Sequence, residues 1–202
     1  MDIKRVDGYD NKEFSQNALL QHGCYTICGK PYEVEITSAS SAVVRGENSE
    51  NYLELIEYFR FHAPHICLFY NEGGDLIAEY SRPQFFEISL AKIQPSQFYI
   101  DIEKLNAVRT FIKSKRDIVI QVIPWGERYI ALDGHTRLYL AGSMGFSSVF
   151  AVLSETDDWV WKFVEEARRR GVCVPANMTL LSHEEYLVQW DAYCDSVFAS
   201  EQ

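Results

Sequence analysis

Between Tyr129 and Ala141 the chain reads YIALDGHTRLYLA, an apolar run that stops at Asp133-Gly134 and gives way to an amphipathic pattern. That change of period predicts a strand, a tight turn and a helix. Leu138, Ala141, Gly142 and Gly145 fall at i, i+3, i+4 and i+7, one face of a helix, and Gly145 is placed to end it in a left-handed conformation. His135, Thr136 and Arg137 then occupy the first turn. The unpaired N–H groups and positive dipole of a helix start favour an anion there. Gly134 allows close approach, and Arg137 offers a planar two-pronged donor suited to phosphate oxygens. The local chemistry is that of a phosphate site.

The pattern continues on both sides of this turn. A proline-containing strand (Ile93-Gln94-Pro95) comes first, then a helix with Glu103-Lys104-Leu105, a strand over 118–123, a hairpin, and Gly134-His135-Thr136-Arg137 opening the second helix. Over residues 85–153 this order resembles the ParB/sulfiredoxin-like superfamily, whose ParB members carry it as an N-terminal nuclease-like domain. The resemblance implies a mixed sheet with packed helices in the order strand, helix, strand, strand, helix, strand. It also implies a bound nucleotide, ATP or ADP with CTP as a further candidate, together with Mg²⁺. In sulfiredoxins the lysine at this point of the first helix helps to bind ATP, which makes Lys104 a phosphate candidate. Their reactive cysteine falls at His135 and their histidine at Thr136, so sulfinic acid repair is not expected.

Asp-Gly-His-Thr-Arg is closer to the Asp-Gly-His-His-Arg of the ADP-dependent free-serine kinases in the same superfamily, and phosphotransfer is accordingly the leading enzyme class. Gly134, His135, Thr136, Arg137 and Lys104 are the expected phosphate contacts, with His135 near the transferred group. Asp133 is read both as a helix cap and as a general base or Mg²⁺ ligand. The kinases' acidic catalytic residue has Gln97 in its place, and Glu103 is the nearest carboxylate.

Net charge is −10, which disfavours unassisted binding to DNA, since phosphate neutralisation supplies most non-specific affinity. The charge is uneven: residues 1–90 carry 7 basic and 14 acidic side chains, whereas residues 104–137 carry 7 basic and 3 acidic ones. A local positive field of this size suits a small anion better than a duplex. No apolar run approaches the roughly 20 residues that span a bilayer, and the first residues lack a secretory apolar region, so the expectation is a soluble cytoplasmic protein without membrane contact. The five cysteines are too few and irregular for a disulfide framework. Cys24 and Cys28 read as buried thiols on one face of a strand, with a metal site as the weaker alternative.

Along the chain, hairpin signals around Gly29-Lys30-Pro31 and 71–75 flank a helix starting near Ser49, which makes residues 1–83 a small α+β unit. Ser81-Arg82-Pro83 is the best boundary. Residues 84–154 form the ParB/sulfiredoxin-like part, and 155–202 a C-terminal helical extension. Within that extension, Ser182-His183-Glu184-Glu185 is a capping box with His183 on the surface of the first turn. No helix-turn-helix follows, so ParB-type DNA reading is not expected. Two functions follow from these readings. One is a phosphotransferase or NTPase acting on a small molecule. The other is a non-catalytic nucleotide-sensing or interaction module with a protein partner or a second copy of itself.

Overall fold

The computed structural model describes residues 2–6, 8–38 and 40–199. The chain is α+β and divides into two compact units at residues 84/85. The first contains β1 (Ile3–Arg5), α1 (Gln16–Leu20), β2 (Cys24–Ile27), β3 (Lys30–Ile36), β4 (Ser41–Gly46), α2 (Tyr52–His62), β5 (Leu68–Tyr70) and β6 (Leu76–Glu79). Its six strands lie in sequence order. Every neighbouring pair is antiparallel except β4–β5, which α2 connects as a crossover. The apolar stripe of α2 (Tyr52, Leu55, Ile56, Phe59) shares a core with Tyr25, Val34, Val44 and Phe69 from the sheet.

The first hairpin turn is shorter than Gly29-Lys30-Pro31 suggests and starts one residue earlier. Ile27 pairs with Lys30, leaving Cys28 and Gly29 as the loop with φ of 51° and 77°. Positive φ at both central residues is the two-residue turn whose twist matches its flanking strands. Cys24 is consequently buried while Cys28 is exposed in the turn, and the two thiols do not share a strand face.

The second unit contains β7 (Phe86–Ser89), β8 (Ile93–Pro95), β9 (Tyr99–Asp101), α3 (Ile102–Phe111), β10 (Val119–Trp125), β11 (Arg128–Ala131), α4 (His135–Ser143), β12 (Ser148–Leu153), α5 (Trp159–Arg169), β13 (Thr179–Leu181), α6 (His183–Tyr186) and α7 (Ala192–Ala199). Five strands form a mixed sheet in the order β7-β12-β10-β11-β8. The apolar stretch over 85–93 is interrupted by a 3₁₀ turn at Leu90–Lys92. Its halves pair with opposite edges of the sheet, β7 antiparallel to β12 and β8 parallel to β11. Three residues reach about 10 Å at most, so the two edges lie close and the sheet curls toward closure. The Phe86 and Tyr129 rings, 5.4 Å apart, fill the space between β7 and β11.

Residues beyond 154 belong to the same core. Ala167, Val172 and Met178 pack in one cluster with Leu105, Ile120 and Leu138, and β13 pairs in parallel with β9, placing Leu181 beside Asp101. Two polar ties, both unmarked in the sequence, reinforce this: Gln94 donates to the Val172 carbonyl at 2.8 Å, and Arg128 donates to the carbonyls of Ile93 and Cys173. Among the described residues no helix is long and apolar enough to cross a membrane.

Candidate functional site

The turn before α4 is built on Gly134, whose φ of 80° and ψ of 23° lie in the left-handed region. A Cβ there would meet Ile120 Cγ2 at 2.8 Å, so both conformation and packing call for glycine. At the other end Gly145, with φ 79°, lets the Phe146 N–H reach the Ala141 carbonyl at 3.0 Å. The buried residues of α4 are His135, Leu138, Leu140 and Ala141, whereas Gly142, expected on that face, is exposed.

No side chain caps α4. The Asp133 carboxylate turns instead to Arg137, with Oδ2 2.9 Å from Nη2, while Nη1 donates to the Val119 carbonyl at 2.6 Å. The guanidinium end of Arg137 thus braces the turn against β10 rather than reaching outward to a phosphate, and its side chain is only 17% exposed against 42% for Asp133. His135 also faces inward. Its Nε2 accepts from the Ser96 N–H at 3.2 Å, and the Ser96 hydroxyl, 3.2 Å from the same nitrogen, donates to the Ala131 carbonyl at 2.8 Å. Burial pushes the imidazole down to about 4, against the opposing pull of Asp133 and a hydrogen bond with the Ala131 backbone. At neutral pH it is an uncharged structural link between β8 and α4, with no exposed nitrogen to exchange a proton with a bound group. Thr136 is half-buried beside it.

Lys104 and Glu103 belong to a different group of residues. Asp101 caps α3, with Oδ1 accepting from the Glu103 N–H at 2.8 Å, and its other oxygen accepts from His183 Nδ1 at 2.8 Å. Glu103 Oε2 lies 3.9 Å from that nitrogen. The Lys104 ammonium sits 5.0 Å above the Tyr186 ring. Gln97 donates to the Tyr99 carbonyl at 2.6 Å and to the Tyr186 hydroxyl at 3.2 Å. The hydrogen bond with Asp101 holds the His183 imidazole above its ordinary range, burial opposing it.

The cation excess over 104–137 is therefore partly neutralised within the fold. Lys115 pairs with Glu87 at 2.7 Å, Arg137 with Asp133, and Arg128 with main-chain carbonyls. For Mg²⁺, the expected ligand Asp133 is a single carboxylate already paired with a cation. No group of three or more His, Cys, Asp or Glu side chains gathers as metal donors among the described residues.

Neither a family model nor a curated protein sequence matches the chain. Among solved structures, the crystal structure of protein Atu1540 from Agrobacterium tumefaciens is similar over 46% of this chain, at 16% identity and a TM-score of 0.31. The similar segment spans half of that protein's length.

Proposed function

We propose that residues 85–202 form a nucleotide-binding unit of ParB/sulfiredoxin-like type that receives a phosphate at the first turn of α4. The observation that carries this reading is a nine-residue helix that opens at a left-handed glycine, a residue with no side chain of its own to cap the first N–H groups. The phosphate contacts are the main-chain amides of His135 and Thr136. Arg137 shapes the turn without being the ligand's main partner. Two helices, α3 and α4, set into a mixed sheet support the family reading.

Phosphoryl transfer to a small molecule is the reaction class that goes with ATP or ADP at such a site, Mg²⁺ supplying charge neutralisation on the phosphates when bound. The second reading, a nucleotide-sensing module without turnover, is favoured by the burial and low proton affinity of His135, which leave α4 without an acid or base of its own. Titration calorimetry with ATP, ADP and CTP tests binding. Amide NMR then locates it, the His135 and Thr136 N–H signals being expected to move on adding nucleotide or inorganic phosphate. Absence of binding, or binding that leaves those two signals in place, overturns the proposal.

A further inference from the structure

The chemistry missing from α4 is present at the start of α3. Asp101 is fully buried, and both of its oxygens are engaged, one by the Glu103 N–H and one by His183 Nδ1. A carboxylate accepting at Nδ1 fixes the proton there and leaves Nε2 as the basic nitrogen. The His183 side chain is 38% exposed, and its Nε2 has no protein partner among the described residues. A buried aspartate behind a half-exposed imidazole is the arrangement by which a histidine takes up a proton and has the resulting charge stabilised.

The dyad is linked to the α4 turn through one short stretch of chain. Ser96 and Gln97 are consecutive; Ser96 is bonded to His135, the first residue of α4, and the Gln97 amide to Tyr186, in the same helical turn as His183. The first residue of α4 and the helical turn that carries His183 thus bond to neighbouring residues of one dipeptide. The other charged groups around His183 are Glu103 and Lys104 on α3 and Asp191 after α6.

We propose that His183, oriented by Asp101, is the catalytic base that deprotonates a hydroxyl-bearing acceptor for phosphoryl transfer from the nucleotide at α4. The inference rests on the nucleotide reading above. The acceptor's O–H proton passes to Nε2 while its oxygen forms a bond to the terminal phosphorus. The bond from that phosphorus to the bridging oxygen breaks, and the shortened nucleotide leaves with the electron pair. Asp101 holds the imidazolium until the exposed ring returns its proton to water.

The test uses the full chain with Mg²⁺, ATP or ADP as donor, and glycerol, L-serine, D-glucose or water as acceptor, following both calorimetric affinity and product formation. His183→Gln is expected to keep nucleotide affinity within about twofold and to lose about a hundredfold or more in turnover. Asp101→Asn keeps an oxygen for the Glu103 N–H but presents its NH₂ to His183, forcing the proton onto Nε2. It is expected to lower turnover and to move the acidic limb of the pH–rate profile downward, a change that a merely structural tie would not produce. Nitrogen-15 NMR of the parent is expected to show the Nδ1–H tautomer. If no nucleotide binds, the underlying reading fails. If nucleotide binds at α4 but no acceptor is phosphorylated, if His183→Gln turns over like the parent, or if the tautomer is Nε2–H, the assignment of His183 is overturned while nucleotide binding stands.

Discussion

Two places in the second unit set an aspartate beside a basic side chain at the start of a helix, and they differ in what is left over. At α4, Asp133 and Arg137 lie one helical turn apart. The guanidinium bonds the carboxylate on one side and a β10 carbonyl on the other, and the neighbouring His135 is closed off by Ser96. At α3, Asp101 is itself the cap, and its second oxygen reaches a histidine 82 residues further on, whose side chain is 38% exposed. The first is a brace and the second a half-finished proton relay. What separates them is the direction of the unused donor or acceptor, which residue types alone do not reveal.

The largest effect is expected at the α4 turn. Gly134→Ala forces a side chain into the left-handed region, costing about 1–2 kcal/mol, and drives its Cβ against Ile120, an overpacking of about 1–3 kcal/mol. The expected loss in urea-unfolding stability is roughly 3–4 kcal/mol. Gly142→Ala in the same helix meets nothing within 4 Å and is expected to stabilise by about 1 kcal/mol. Equal effects at the two glycines would refute the packing of this turn.

The second test concerns acid. With His135 held at about 4 in the fold against 6.5 for the free side chain, the unfolded chain takes up a proton first as pH falls. Stability is full above about 6.5 and falls progressively as pH drops toward 4, by on the order of 3 kcal/mol for a group this buried. An NMR titration in which the His135 ring protonates near pH 6.5 would show that it is not enclosed.

The features legible in the sequence are the local ones. The Gly134 turn, the Gly145 stop and the Ser182–Glu185 capping box each depend on residues within one or two turns of each other, and each is present. Pairings across the chain leave no such mark. The 3₁₀ break at Leu90–Lys92 sends one apparent strand to two sheet edges because tertiary pairing, not residue preference, decides where a short apolar run pairs. Arg137 reads as a phosphate fork because its spacing from Gly134 is right, yet the Val119 carbonyl at 2.6 Å is visible only once β10 is placed. His183 reads as a surface residue of a capped turn, and nothing near it in sequence announces Asp101.

A third experiment sharpens the brace. Arg137→Ala leaves the Val119 carbonyl without its donor and Asp133 without its cation. The expected destabilisation is about 2 kcal/mol, chiefly from the main-chain acceptor, because the half-exposed ion pair is screened by water. Nucleotide affinity is then expected to change less than stability does. A variant as stable as the parent but unable to bind nucleotide would return the guanidinium to the phosphate and reverse the comparison.

The smallest effect is the most specific to the Asp101–His183 pair. The Asp101 hydrogen bond raises the His183 imidazole above its ordinary value of 6.5, with Glu103 adding to the shift and burial and Lys104 opposing it. A base that binds its proton more tightly in the fold stabilises the fold while it is charged. Its contribution is complete below about 6.5 and is lost as pH rises through the folded value, the reverse of the trend set by His135. Urea midpoints measured from pH 6 to 9 are therefore expected to decline more in the parent than in His183→Gln. Half a molar salt should narrow that difference, because the ring is more than a third exposed and its charge is screened. Parallel pH curves for the two proteins would mean that the imidazole is not held by the buried carboxylate in solution, and the α3 corner would lose its distinction from α4.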